Sequence, residues 1–482
     1  MNTIQRVVKN ILSLLLGGIT SNLLNFFAVA YIARILGPKD FGKISFVLAI
    51  QSFFLVISQL GVDTIGIKEI ARDNSILKSY ISNIVFIKLI LFIISIILMG
   101  SIALFINKPA DVKYLILLYG LTLFPLVFQT DWVFKGLEKM QYSVVIPVVK
   151  NLLFLGAVWL FITKTRQILW IPLIQFSANL LPALLLLIIF FNLYGRFHFK
   201  LDWDLVWEIF AQALPIGIYT LLVVVVNNAD SVMLGFMRSE AEVGYYNAAY
   251  KLIWLLLGVI PVFFIAIFPL ISKYYRTSLE KLQRLLNYAA KIMVTLTIPM
   301  AIGGAVLARP ILNLVYGNQY ANGVIVFQLL IWVVIVLSIN TVYAWGLLGC
   351  DRQANCMKIV AIQAILNVSL NFMVIPVWGT VGAAIATLMA ESSGMFLYFR
   401  EFKQIVAVPF YRYLLKPLAA SLPMLCFLWL GFDLNLFILI AGAVFIYFSS
   451  IYIIKGVGVE EINLLKQLLP SNSGTKLSYE NS

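Results

Sequence analysis

Four lysines and two acids stand inside long apolar runs of this 482-residue chain: Lys88, Lys150, Lys251 and Lys291, and Asp230 and Glu391. An ionised side chain at mid-bilayer costs about 2.5–3.5 kcal/mol on insertion scales, so such groups usually face a partner or water. A long lysine close to a helix end can instead snorkel to the interface. Lys88 and Lys291 lie within about a turn and a half of a predicted end and are expected to snorkel. Lys150 and Lys251 lie about two turns in and are expected to face a cavity. All four are candidate cations for an anionic partner. Asp230 and Lys251 sit at similar depth on either side of one polar turn. They would form either a structural ion pair or a gate pair that breaks on opening. Glu391 would accept a proton, a sodium ion or only a hydrogen bond. Asp230 and Glu391 are therefore the gate or ion-coupling candidates.

Uncharged polar residues extend the pattern. Gln363, Asn367 and Asn371 are spaced i, i+4, i+8 and share one helix face. Asn22 and Asn25 share another. Such amides either hydrogen-bond between helices or line a wet cavity, and these five are the candidates for cavity lining. Asp131 and Trp132 stand near the inner end of a span, before the basic stretch Lys135–Lys139. Trp132 alone would pass as an interfacial belt residue.

The elements that must position these groups are membrane spans. The chain is 62% hydrophobic and only 12% charged, about half the charged share of a soluble protein. Apolar runs of 18 or more residues recur from end to end. Short alternating strands of a β-barrel are not the pattern. Fourteen helices are predicted, near 11–35, 42–62, 82–106, 113–135, 142–163, 168–193, 211–236, 244–270, 289–308, 323–348, 357–377, 381–400, 411–430 and 434–454. Ala28-Val29-Ala30 resembles a signal-peptidase site. The apolar run before it is too long for a signal segment, so it reads as the first span with a cytoplasmic N-terminus.

The net charge of +14 would suggest nucleic acid in a soluble chain. Here Lys and Arg concentrate in short loops, better than two to one on the predicted inner side, and an even span count returns the C-terminus to the cytoplasm. The bias is weakest at the basic turn 34–43.

The chain also repeats. NNADSVMLGFMRSEAEVGYYNAAYK at 227–251 echoes AVAYIARILGPKDFGKISFVLA near the start, and Gly42 occupies the place of Gly244. The repeat predicts an all-α polytopic protein of two pseudo-symmetric six-helix lobes, residues 1–200 and 201–405. Residues 406–455 add two helices outside the repeat. Residues 456–482 form a cytoplasmic tail, with an amphipathic segment at 456–469 and a polar end.

Several chemistries are excluded. No phosphate-binding glycine loop follows a strand, and no nucleophile–base set appears. Cys350, Cys356 and Cys426 are too scattered for a disulfide framework or a metal site, and His198 falls in a loop. No enzyme activity, metal or organic cofactor is expected.

The chain resembles the Wzx-type polysaccharide flippases of the multidrug/oligosaccharidyl-lipid/polysaccharide exporter superfamily. The resemblance is carried by YIARILGPKDFGKISF at 31–46, GVDTIGIKEIAR at 61–72, DWVFKGLEKM at 131–140, ADSVMLG at 229–235, LLGCDRQ at 347–353 and NVSLNFMVIPVWGTVGAAIATLMAE at 367–391. It implies a V-shaped bundle. It also implies that an oligosaccharide on undecaprenyl pyrophosphate is flipped from inner to outer leaflet of a bacterial cytoplasmic membrane. A cationic cavity would shelter the head group while the polyprenyl tail stays in lipid. A proton or sodium gradient, or the membrane potential, would drive export. A monomer suffices, with a polymerase and a chain-length regulator as further expected partners besides lipid. The alternatives are a multidrug cation antiporter, a lipid II flippase, and a non-transporting scaffold for polysaccharide assembly.

Overall fold

The computed structural model describes residues 3–163, 167–195, 200–258 and 260–456, with side chains from Gly17 onward apart from Met140 and Val262. His198 and the tail beyond Gly456 lie outside the described residues.

Every regular element among the described residues is a helix. The first half runs through α1 (Thr3–Gln59), α2 (Val62–Arg72), α3 (Leu77–Phe105), α4 (Ala110–Leu121), α5 (Phe124–Val127), α6 (Asp131–Gly136), α7 (Met140–Phe161) and α8 (Trp170–Tyr194). The second half runs through α9 (Trp203–Met237), α10 (Glu240–Leu257), α11 (Ile260–Thr277), α12 (Leu279–Val306), α13 (Ala308–Tyr316), α14 (Val324–Leu330), α15 (Val333–Gly349) and α16 (Gln353–Phe402). Two further helices, α17 (Leu415–Leu430) and α18 (Leu436–Ile453), pair with each other and lean on α12.

Ten of these helical stretches are long and apolar enough to cross a membrane, or eleven if the bent stretch 318–349 is one span. The sequence led us to expect fourteen. The difference lies in how the chain bends. α1 and α16 each join two helices across a kink, at Gly37 (φ 77°) and at Gly379 (φ 55°). A positive φ is one that glycine adopts without a Cβ penalty. Pro38 follows Gly37 and lacks the N–H that a continuing helix would use. The predicted span 244–270 divides between α10 and α11 at Gly258, and neither piece is among the ten; 113–135 falls into α4, α5 and α6 but still makes one of them.

Helices α1–α8 pack among themselves, as do α9–α16. The halves meet mainly where α1 lies against α9 and α10. At the end of the bundle that carries the Gly37 kink, the seam is tight. A Cβ on Gly42 would collide with the Glu240 carbonyl, one on Gly244 with the Pro38 carbonyl, and one on Gly235 with the Phe46 ring. Hydrogen bonds cross the same seam. Arg34 donates to the Leu314 carbonyl (3.0 Å), Gln319 to the Arg34 carbonyl (2.7 Å), and the Tyr320 hydroxyl to the Ala33 carbonyl (3.0 Å). The opposite end is also in contact: Gly61 and Leu60 meet Ile216 and Gly217, and the Asp202 N–H donates to Asn83 Oδ1 at 3.0 Å. Large apolar side chains cover the outside, Phe105, Trp159, Trp207, Trp429 and Phe437 among them. That is the surface a lipid-embedded bundle presents, because hydrocarbon rewards no burial of these groups.

Candidate functional site

Between the halves lies a cavity of about 330 Å³. Its walls follow from helix phase. On α10, Asn247 and Lys251 are four residues apart and both reach the cavity. On α7, Lys150 and Asn151 face it, and α9 contributes Asn228. Both arms of α1 take part, Asn25 before the kink and Ser45, Gln51 and Ser52 after it. Among the described residues the lining holds two lysines, several amides and hydroxyls and no carboxylate, set among apolar side chains such as Ile44, Leu48 and Phe154. Lys150 and Lys251 are half-buried, and among the described residues no acid pairs with either. Parts of the wall are held rigidly. Asn151 donates to Ser21 Oγ at 2.7 Å, and Gln51 donates to Thr122 Oγ1 at 2.5 Å and to the Tyr119 carbonyl at 2.9 Å. Such a cavity suits a hydroxyl-rich, anionic group, since amides exchange hydrogen bonds with hydroxyls and unpaired ammonium groups attract phosphate oxygens.

A second space, about 420 Å³, continues from it between α1 and the α10–α11 pair. Asn25, Val29 and Lys251 belong to both. The remaining wall is mostly apolar, with Ile19, Phe26, Trp254, Leu255, Pro261 and Ile265, and Asn22 at its edge. Polar chamber and apolar crevice therefore share one lysine.

The other sequence candidates lie elsewhere. Lys88 does not snorkel and does not line the cavity. It is 1% exposed inside the first half and forms an ion pair with Asp63 at 2.5 Å. Its partner comes from α2, an element whose fold-back onto α3 and α6 spacing along the chain does not reveal. Lys291 is half-buried on α12 and lines neither space. Asp131 pairs with Lys135 at 2.7 Å on α6. Trp132 is not an interfacial belt residue: it is 1% exposed and pressed against Gly66 of α2, where a Cβ would collide with its ring.

The expected pairing of Asp230 with Lys251 is absent. Asp230 points away from the cavity and accepts hydrogen bonds from the Tyr246 hydroxyl (2.6 Å), Thr387 Oγ1 (2.7 Å) and the Asn371 amide. Gln363, Asn367 and Asn371 do not line the cavity either; they are 4%, 1% and 0% exposed. They form a ladder inside the second half, in which Asn371 donates to Asn367 at 3.1 Å and Gln363 to Glu391 Oε2 at 3.1 Å. The helix–helix hydrogen-bond reading of this stripe is the one the geometry shows. Sequence reading missed Asn228, Asn247, Gln51 and Gln175 in the cavity wall, and Tyr246, Thr387 and Asn340 around the two acids. The i, i+4 spacing of Asn247 and Lys251 was the available signal.

Fold and cavity define an all-helical membrane protein with a polar chamber held between two packed halves. Solved structures share that fold. A lipid II flippase MurJ in an inward closed conformation superposes with a TM-score of 0.76 at 15% identity, over 93% of this chain and 99% of that one. An inward-facing multidrug-resistance MATE family transporter gives 0.67 at 15% identity, over 80% and 95%. The model of the family described as polysaccharide biosynthesis protein matches residues 7–275, and the chain belongs to that family. A curated relative from Escherichia coli (strain K12), titled "Putative O-antigen transporter", is 24% identical over 414 residues, 83% of this chain and 98% of the relative. "Probable flippase AglR" of Haloferax volcanii is 29% identical over 181 residues, 37% of this chain and 38% of the relative. The resemblance to the Wzx-type family read from the sequence holds.

Proposed function

We propose that the chain is a flippase that carries an oligosaccharide on undecaprenyl pyrophosphate from the inner to the outer leaflet of a bacterial cytoplasmic membrane. The product would feed O-antigen, capsule or exopolysaccharide synthesis. The observation that carries this reading is the pair Lys150 and Lys251, without acidic partners, facing one polar chamber that opens into an apolar crevice. Burying an unpaired pyrophosphate and many sugar hydroxyls in hydrocarbon is prohibitive, so the head group needs such a chamber. The polyprenyl tail needs none, and the crevice between α1 and α10–α11 gives it a way out to lipid. The relatives' titles point the same way.

With both termini cytoplasmic, the Gly37 end is the outer gate, here closed by glycine contacts and by side chains hydrogen-bonded to main-chain carbonyls. Alternating access then consists of one half rocking against the other. An anionic head group leaving a negative cytoplasm gains about 2.3 kcal/mol per charge per 100 mV, so the membrane potential favours export. Asp230 and Glu391, buried inside the second half, are where a coupling proton or sodium ion would act. One chain holds the whole chamber, so a monomer suffices; a polymerase and a chain-length regulator would act on the product.

A multidrug cation antiporter is disfavoured by the lining, which offers a cation two ammonium groups and no carboxylate. The deciding experiment deletes the gene and asks on which leaflet the lipid-linked unit collects. Accumulation on the inner leaflet, relieved by the intact chain but not by a Lys150→Ala/Lys251→Ala double variant, supports the proposal. Unchanged export in the deletion strain sinks it.

A further inference from the structure

We propose that Glu391, with Asn340 and Gln363, forms a proton-binding site distinct from Asp230. Its use in transport rests on the flippase reading above; the binding itself does not.

Glu391 is 4% exposed on α16. Asn340 of α15 donates from Nδ2 to Glu391 Oε2 at 2.9 Å and to the Glu391 main-chain carbonyl at 3.1 Å. A carbonyl can only accept, which fixes the orientation of that amide. Gln363 donates to the same Oε2 at 3.1 Å. Gly394, one turn further along α16, has no room for a Cβ beside the Gln363 amide, so the donor is held in place. Two N–H groups therefore converge on one carboxyl oxygen. The Asn340 side chain, 6% exposed, leaves its Oδ1 buried with no donor. Oε1 also receives no donor among the described residues, though it is not sealed from solvent. One buried acceptor, Asn340 Oδ1, is short of a hydrogen.

The surrounding charges sharpen this. The ionisable groups that face Glu391 are Asp230 on α9, Tyr250 on α10 and Tyr398 on α16. Among the described residues no lysine or arginine pairs with it. A lone carboxylate in so dry a place is strongly disfavoured unless a cation or a proton accompanies it. Oε2 already takes two N–H donors, and the donor-free side-chain oxygens that Glu391 and Asn340 offer among the described residues, Glu391 Oε1 and Asn340 Oδ1, are fewer than a hard metal ion takes. A proton meets every condition: it removes the charge and supplies the missing hydrogen, while Oε2 stays a good acceptor. Asp230 differs, because both its oxygens already receive hydroxyl or amide donors.

The test is an infrared pH titration of the purified full chain in lipid vesicles, without substrate. A carboxylic C=O stretch should be present at neutral pH, vanish in Glu391→Gln and persist in Asp230→Asn. Gln363→Leu, which removes one donor and keeps the carboxyl, should retain the band and move it to higher frequency. No such band in the wild type, its survival in Glu391→Gln, or no frequency change in Gln363→Leu would each overturn the site. No transport is measured, so a protein that moves no glycan can still show the band, and an active flippase can lack it.

Discussion

Gly42 on α1 and Gly244 on α10 pack main chain against main chain, and neither has room for a side chain. They stand at matching places in the two stretches that echo each other in sequence, and those two turns lie face to face. Neither residue can enlarge without moving one half of the molecule off the other. Gly42→Leu should hold this end apart, since overpacking costs roughly 1–3 kcal/mol and opening the seam relieves it. A cysteine placed at Ser45 in the chamber wall should then react with a membrane-impermeant maleimide from outside the cell several-fold faster than in the parent. Equal labelling rates would mean that this seam is not a gate.

Lys150 and Lys251 should matter for transport and not for stability. Neither is paired with an acid, so removing either leaves no orphaned charge. Lys150→Ala and Lys251→Ala should each slow flipping about tenfold or more, which corresponds to roughly 1.4 kcal/mol of lost head-group interaction. Thermal unfolding in detergent should shift little. Arginine at either place should retain part of the rate, because it keeps the charge.

Lys88 makes the opposite prediction. Lys88→Ala leaves Asp63 without its ion-pair partner beside a dry interior, and breaking a buried pair costs about 3–5 kcal/mol. Folded yield and melting temperature should fall sharply. The double variant Asp63→Leu/Lys88→Met should recover most of the stability. Recovery of flipping alongside it would establish that the pair is structural; loss of flipping in a stable double variant would give Lys88 a role in transport.

The kink of α16 is strained for any residue but glycine. At Gly379 a side chain would adopt φ 55° and ψ −130° and would press on the Glu242 carboxylate. Gly379→Ala should therefore cost about 1–3 kcal/mol, read as a lower unfolding midpoint. Arg238 stabilises the same corner by donating to the Ile375 (3.0 Å) and Pro376 (2.8 Å) carbonyls, and Arg238→Met should destabilise it in a similar way.

The sequence showed much of the scaffold because apolar run length survives projection onto one dimension. Side-chain direction does not. Asn228 and Asp230 are two residues apart on α9, so they point about 200° away from each other around the helix. The first faces the chamber and the second faces α16, and for that reason the expected Asp230–Lys251 pair does not form. On α10 the same rule separates Asn247 and Lys251, which line the chamber, from Tyr246 and Tyr250, which pack inside the second half. Lys150 was legible as a deep lysine without a nearby acid, whereas Lys251 was expected to pair with Asp230. Lys88 looked similar because Asp63 is 25 residues away and reaches it only through the fold-back of α2.

The Gly37 bend carries a mechanical consequence. α1 turns back on itself at Gly37 without a loop, so that residues of both arms, Asn25 and Ser52 among them, line one chamber. Its first arm borders both the apolar crevice and the chamber, and its second arm forms a further wall of the chamber. With no slack between the arms, widening the crevice for a passing hydrocarbon chain must displace the wall that grips the sugar. Lipid admission and cargo release are thereby geared to one another through the two arms of one folded helix.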